Sequence, residues 1–307
     1  ENRTILSSVD GFPALISDPW LNGRLTTLHA CSDLWASGAD VNNALAILTL
    51  PSSHSKDQIH LMSQTLAGIR SALEEQGATL LGGHTMESRQ AFQQPIGQDV
   101  QVSLSVIGAT APQQAPWGKG PIRAEDQLLL SRPLGTGILF AAAMQGRCPG
   151  PWLDGALAQM GESQHLRLRE LQAANYLHPS SIHACTDVTG FGLLGHLNEM
   201  VEASPDIQVE LDSTKIPLFD GVMSLLVEGI TSTAAPGNRQ AWSSLGSLVV
   251  LKGDRSNPDS VSAPTMLELL IDPQTCGPLL VSCNPTVAQE LINQGWSAIG
   301  RAQANTQ

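Results

Sequence analysis

Charge is scarce in this chain: charged residues fill 14% of its 307 positions, aromatic residues 4%, and there is a single tyrosine. Among the charges, Asp and Glu outnumber Lys and Arg by 28 to 16, giving a formal net charge of −12. That balance excludes a general nucleic-acid surface, which needs clustered Lys and Arg to displace counterions. No apolar run reaches membrane-spanning length, and no basic stretch followed by an apolar one opens the sequence. Neither a membrane segment nor a secretion signal is therefore expected, and the cytoplasm is the expected location. Five cysteines, an odd number without a C-x-x-C pair, supply neither a disulfide framework nor a zinc knuckle. Cys31, Cys185 and Cys276 each sit beside a motif carboxylate or glycine, yet the expectation for them is that of small buried hydrophobes. The G-x-x-x-x-G-K-[ST] phosphate loop, H-E-x-x-H, the G-x-S-x-G elbow and the kinase catalytic-loop set are all missing, and the eight histidines show no ligand spacing.

What the chain does have is a 42% share of hydrophobic residues, enough for a sizeable core, and a length that allows about two domains at roughly 150 residues each. Residues 4–10 read as a strand, so the sequence starts inside a domain and further sequence upstream is expected. Asp18 and Pro19 suit the N-cap and first position of a helix running to about Gly38. Leu21, Leu25, Leu28, Cys31 and Leu34 or Trp35 form its apolar stripe, and Asn22, Thr26, His29 and Asp33 a second stripe of short polar groups, read as facing a site. A strand over 44–50, a helix over 55–76 and a strand over 78–82 follow, then Gly82, Gly83 and His84 as a tight loop open to close ligand approach. Residues 99–108 alternate as a strand, and the Pro- and Gln-rich stretch 111–121 reads as a linker.

Beyond the linker, DQLLLSRPLGTGI places a strand, a Gly- and Pro-containing turn and a helix, and residues 152–177 read as mostly helical. A strand over 181–186, a glycine turn, a helix over 193–203 and the strand IQVEL come next. Further strands are expected at 246–252, 266–271, 278–283 and 296–300, with a helix near 286–293. This order of elements implies an α+β or α/β protein of two domains, residues 1–112 and 113–307.

The most informative run is Thr186 to Leu197, TDVTGFGLLGHL. Gly190, Gly192 and Gly195 spell G-x-G-x-x-G, with Glu210 about 20 residues beyond the first glycine, as a dinucleotide fingerprint requires. An acidic side chain just before the first glycine would repel a pyrophosphate lying on bare backbone N–H groups. Asp187 instead reads as a carboxylate holding Mg²⁺ against phosphate oxygens, because Mg²⁺ is bound by one or two carboxylates plus substrate phosphates. Asp10, Asp33, the segment Gly82 to His84, Asp187 and Asp272 then form a set of acidic residues beside glycine turns, suited to a nucleotide with more than one Mg²⁺.

SVDGF with DPWLNGR, HACSDLWASGA, LLGGHTME, SRPLGTGI, TDVTGFGLLGHLNEM, APGN and DPQTCGPLL occur in one order along nearly the whole chain. Through them the sequence resembles the selenophosphate synthetase (selenide, water dikinase) family, in the superfamily of aminoimidazole ribonucleotide synthetase and thiamine monophosphate kinase. The resemblance implies a two-domain fold with an N-terminal ATP-binding domain, and conversion of ATP, hydrogen selenide and water to selenophosphate, AMP and phosphate. It implies ATP contacts for Asp10, Gly82, Gly83 and His84, contact with both ATP and Mg²⁺ for Asp33, and a Mg²⁺-ligand role for Asp187. It also implies a homodimer in which the N-terminal domains pair strands into a shared barrel. The strand at 99–108, unprotected in a monomer, agrees with pairing.

The sequence departs from the family pattern at several places. His29 stands where many members have Asn, Ser37 and Ala39 alter A-M-G-G, Cys276 and Pro278 alter S-G-G, and Ser88 to Gln98 lacks the usual acidic and proline pattern. The family's catalytic Cys or selenocysteine and its lysine lie upstream of Glu1, so no catalytic residue is assigned. The expectation is that these residues alone hold Mg²⁺ and nucleotide without turnover, unless Cys276 has become the nucleophile. His29 with SVDGF and DPW is similar to versions fused behind a flavin-dependent oxidoreductase, so such an upstream domain is a further expectation. Two other readings stay open: a superfamily enzyme with another small acceptor, and a nucleotide-binding module without turnover.

Overall fold

The computed structural model describes residues 2–88, 100–243, 249–252 and 263–305. These form two compact units, one of Glu1–Pro116 with Met160–Leu168, the other of Trp117–Gln159 with Arg169–Gln307.

In the first unit the order is β1 (Ile5–Phe12), α1 (Pro19–Ala36), β2 (Ala39–Leu50), α2 (Ser55–Glu74), β3 (Thr79–Glu87) and β4 (Gln101–Thr110). The sheet order is β1-β4-β2-β3, with β4 antiparallel to both its neighbours and β2 parallel to β3. Helix α1 starts where the sequence places it: Asp18 Oδ1 accepts from Trp20 N at 2.9 Å and Leu21 N at 3.0 Å, with Pro19 in the first turn. Its apolar residues Leu25, Leu28, Leu34 and Trp35 are buried, and so are the polar Asn22, Thr26 and His29. The polar stripe thus packs inward. Asn22 Nδ2 donates to Val100 O at 3.2 Å, and His29 and Asp33 meet groups of β1.

Gly82, Gly83 and His84 do not form a loop. They lie within β3, opposite Leu45, Ala46 and Ile47 of β2. Gly83 is required there, since a Cβ would fall 1.8 Å from Ala46 O. On the face of the sheet shared by Val9, Leu45 and Ile47, these side chains are 73%, 43% and 48% exposed, and Ile5 is 75% exposed. The alternation of exposure along β1 puts Ile5 and Val9 on one face of the sheet, and the register places Ser103 and Ser105 of β4 between them and Leu45 and Ile47 of β2.

The second unit contains β5 (Gln127–Leu130), α3 (Thr136–Met144), β6 (Ile182–Asp187), α6 (Gly192–Glu202), β7 (Ile207–Asp212), α7 (Val222–Val227), α8 (Ala235–Ser243), β8 (Val249–Lys252), α9 (Ala263–Leu270), β9 (Leu279–Cys283), α10 (Pro285–Asn293) and β10 (Ser297–Ala304). Helices α4 (Gly150–Met160) and α5 (His165–Leu177) make residues 152–177 mostly helical, as expected. The six-stranded sheet runs β6-β9-β5-β10-β7-β8, antiparallel except for the last pair. Its core is built from Leu128, Leu130, Ile138, Leu193, Leu197, Leu280 and Ile299.

Residues 266–271, expected as a strand, belong largely to α9: Met266, Leu269 and Leu270 are buried at helical spacing, which a short apolar run does not distinguish from a strand. Of the strand expected at 246–252, Val249–Lys252 is present as β8, and 244–248 lie outside the described residues. So do 89–99, which cover most of the altered segment Ser88 to Gln98.

Candidate active site

In the first unit, two carboxylates face the same helix–strand contact. Ser8 and Asp10 project from one side of β1. Ser8 Oγ donates to Asp33 Oδ2, and His29 Nε2 lies 3.3 Å from Asp10 Oδ2. Because His29 and Asp33 are one helical turn apart on α1, the helix sets the spacing of both contacts. Gly11 N donates to Asp10 Oδ1 at 2.6 Å, and the His29 ring sits edge-on to Phe12 with centroids 5.3 Å apart. Burial raises the Asp10 pKa, but the hydrogen bond and charge of His29, with the Gly11 N–H, outweigh it and hold the carboxyl below its ordinary value. Gly82, Gly83 and His84 are on the opposite edge strand. Three strand spacings, about 14 Å, separate them from β1 across the sheet.

In the second unit, Asp187 ends β6 and is 7% exposed. The turn that follows is held from several sides. Val188 N donates to Pro278 O at 2.8 Å, and Thr189 O accepts from Gln274 N at 2.9 Å and Gly192 N at 3.0 Å. Asn238 Nδ2 reaches both Gly190 O and Ile271 O at 2.9 Å. Thr189 Oγ1 is 3.2 Å from His196 Nε2, and His196 Nδ1 is 3.3 Å from Glu199 Oε2, which also pairs with Lys119 at 2.7 Å. Burial lowers the His196 pKa, against the opposing charges of Asp187 and Glu199. A Cβ on Gly277 would fall 1.9 Å from Val188 O, so the DPQTCG turn can touch the TDVTGFG turn only through a glycine.

Asp272 packs against the start of α3. Its Oδ2 accepts from Gln274 Nε2 at 2.8 Å, Gly137 N at 3.1 Å and Ile138 N at 3.3 Å, covering the start of α3. Gln274 Oε1 completes that cover, accepting from Gly135 N at 2.9 Å and Thr136 N at 3.2 Å. Burial outweighs these donors and pushes the Asp272 pKa up to about 8. Its other oxygen, Oδ1, is buried with no hydrogen-bond partner among the described residues.

Cys276 is 3% exposed in a left-handed backbone conformation, φ +49°, and Arg132 Nη1 donates to its carbonyl at 3.0 Å. Cys31, Cys185 and Cys276 are buried, in keeping with their reading as small hydrophobes, and burial raises the thiols of Cys185 and Cys283 far above the ordinary range. Spacing gave no hint of one buried network, in which Asp126 accepts from Ser282 Oγ at 2.8 Å and pairs with His183 Nδ1 at 2.8 Å. Its members are 57 and 156 residues from Asp126 in sequence.

Residues 1–110 match the family described as AIR synthase related protein, N-terminal domain, and residues 123–303 match its C-terminal domain. The chain is 30% identical over 294 residues to the selenide, water dikinase of Agathobacter rectalis, covering 96% of this chain and 77% of that protein. It is 31% identical over 304 residues to the selenide, water dikinase of Pseudomonas straminea, covering 99% and 77%. The chain belongs to the selenide, water dikinase family of AIR synthase related proteins. Among solved structures it is similar to thiamine-monophosphate kinase from Stenotrophomonas maltophilia, with TM-score 0.69 and 16% identity over 100% of this chain and 84% of that one. It is also similar to the hydrogenase maturation protein HypE in complex with ATP, with TM-score 0.67 and 16% identity over 98% and 77%. At those identities the likeness is one of fold.

Members of the selenide, water dikinase family are phosphotransferases, and the donors in this chain fit a hard cation with a nucleotide. No group of three or more His, Cys, Asp or Glu side chains among the described residues forms a ready metal cage. Mg²⁺ does not need one, since it takes few carboxylates and completes its shell with phosphate and water. Asp187 supplies an oxygen donor next to the start of α6, whose N-cap residue Phe191 makes no side-chain cap hydrogen bond. The first N–H groups of such a helix favour anions.

Proposed function

We propose that this chain binds MgATP and serves selenophosphate synthesis, in which ATP, selenide and water give AMP, phosphate and selenophosphate. The observation that carries the reading is the Asp187 turn, fastened by Gln274, Asn238 and His196, in a chain about 30% identical to selenide, water dikinases over 96% of its length. In this reading Asp187 and Asp33 hold Mg²⁺ against phosphate oxygens, and Asp10, Gly82, Gly83 and His84 contact ATP. The metal, when bound, neutralises phosphate charge and orients it for attack. The protein's part is to keep Asp187 and Asp33 in fixed positions, Asp33 through Ser8 and the Asp187 backbone through the Val188 and Thr189 hydrogen bonds.

The same reading includes a homodimer in which the N-terminal domains pair strands; β4 is paired on both sides by β1 and β2, so it is not the unprotected strand expected at 99–108, and the edge strands β1 and β3, with the exposed Ile5, Val9, Leu45 and Ile47, are what is left for the contact. Unpaired edge strands are a liability in a monomer, and isologous pairing is the commonest way to cover them. No helix among the described residues is long and apolar enough to cross a membrane.

The test is AMP and selenophosphate formation from ATP, with and without selenide, by the full-length protein, followed by phosphorus NMR. AMP that requires selenide supports the assignment. ATP consumption that ignores selenide and responds to another small acceptor moves the chain to a different chemistry within the superfamily.

A further inference from the structure

A cavity of about 180 Å³ opens beside the Asp187 turn, within the second unit, between α6 and α8. Its walls are mainly apolar: Phe191, Trp242 and Ile271 surround it. Phe191 is 62% exposed, a large aromatic held in place by its tilted contact with the His196 ring at 5.9 Å. Asn198 lines the same space and is 5% exposed. A primary amide facing a cavity can offer its donor and acceptor to a ligand. Asn238, also on the wall, spends its Nδ2 on two backbone carbonyls. Its amide oxygen faces no donor among the described residues. Glu199 and Glu202 stand at the rim.

We propose that this cavity is a binding site for a flat, amino-bearing nitrogen heteroaromatic ring of nucleobase size. Each wall selects one property of that ligand. The volume lies below the roughly 300–1,000 Å³ of pockets for drug-sized molecules, which limits the guest to about one ring system. Phe191 and Trp242 offer faces for stacking. The Asn198 amide, with a donor and an acceptor side by side, matches an exocyclic amino group next to a ring nitrogen. The carboxylates at the rim favour an amine and disfavour an anionic substituent. The site stands on these walls alone and does not depend on Mg²⁺ at Asp187.

Calorimetric titration of the full chain with adenosine, which carries the ring without phosphates, tests it. Adenosine should bind saturably, and inosine, in which a keto oxygen replaces the amino group, at least ten-fold more weakly. Asn198→Leu, close in volume, should weaken adenosine ten-fold or more and abolish the preference over inosine. Phe191→Ala, at a position 62% exposed, should also weaken it. Asp187→Asn should leave adenosine binding unchanged, which separates failure at this cavity from failure of the MgATP reading. A competition arm identifies the source of the ring: adenosine displaced by ATP means that the base of ATP occupies the cavity, while simultaneous binding means a separate ligand, and both support the site. Absence of saturable adenosine binding, equal affinity for inosine, or affinity unchanged in both Asn198→Leu and Phe191→Ala would overturn the proposal.

Discussion

Asn238 joins two segments through a single nitrogen, donating at 2.9 Å both to Gly190 O in the glycine turn and to Ile271 O beside the DPQT segment. Replacing it with Ala removes both bonds and leaves two carbonyls seeking partners, at a cost of about 1–3 kcal/mol. The expected outcome of Asn238→Ala is a lower thermal midpoint together with a raised KM for ATP. An unchanged midpoint would show that the turn is held without it.

Gly277 and Gly190 make a contrasting pair. A Cβ at Gly277 would meet Val188 O at 1.9 Å, whereas one at Gly190 meets nothing within 4 Å. Gly277→Ala should therefore cost about 1–3 kcal/mol of stability by overpacking. Gly190→Val should leave the melting curve nearly in place. If phosphate approaches the turn backbone as proposed, it should weaken MgATP at least ten-fold, about 1.4 kcal/mol. Gly190→Val with native nucleotide affinity would mean that phosphate does not approach there.

Asp272 gives a pH dependence with a defined sign. Its carboxyl keeps a proton to about pH 8 in the folded state, while the unfolded chain releases it near 3.8. A raised folded pKa contributes stability that is fully present below about pH 4 and is lost as pH rises towards 8. Thermal midpoints measured from pH 5 to 8 should fall on this account, and Asp272→Asn should flatten that part of the profile. An Asp272→Asn profile parallel to that of the parent would assign the slope to other groups.

The exposed sheet face predicts the state of assembly. Ile47→Glu places a charge among Val9 and Leu45 and should convert a dimer into a monomer by light scattering, with the fold of the unit retained. A parent chain that is monomeric over a wide concentration range contradicts the dimer.

Local chemistry was the part of the fold legible from sequence. The Asp18 cap and Pro19 start of α1 are determined by residues adjacent in the chain, as is the glycine turn after Asp187. Features decided by distant partners were not legible. Gly82 to His84 look like a turn until β2 pairs alongside, and the apolar run at 266–271 becomes a helix because its buried positions face the core at helical spacing. The buried polar stripe of α1 is a half-legible case, since its composition stands out while the contacts of His29 and Asp33 depend on β1. For the site, the motif residues of each unit could be named in advance. Asn238 as a clamp, Asp272 as a neutral cap of α3 and the Asn198 cavity required the folded chain.

In the proposed function Asp187 binds a metal–nucleotide complex, which calorimetry of ATP binding with and without Mg²⁺ would reveal. For the parent chain, saturable binding that requires Mg²⁺ is predicted. For Asp187→Asn, the prediction is loss of that binding by ten-fold or more with a melting temperature within a few degrees of the parent. Equal Mg²⁺-dependent affinity in parent and Asp187→Asn would contradict the account.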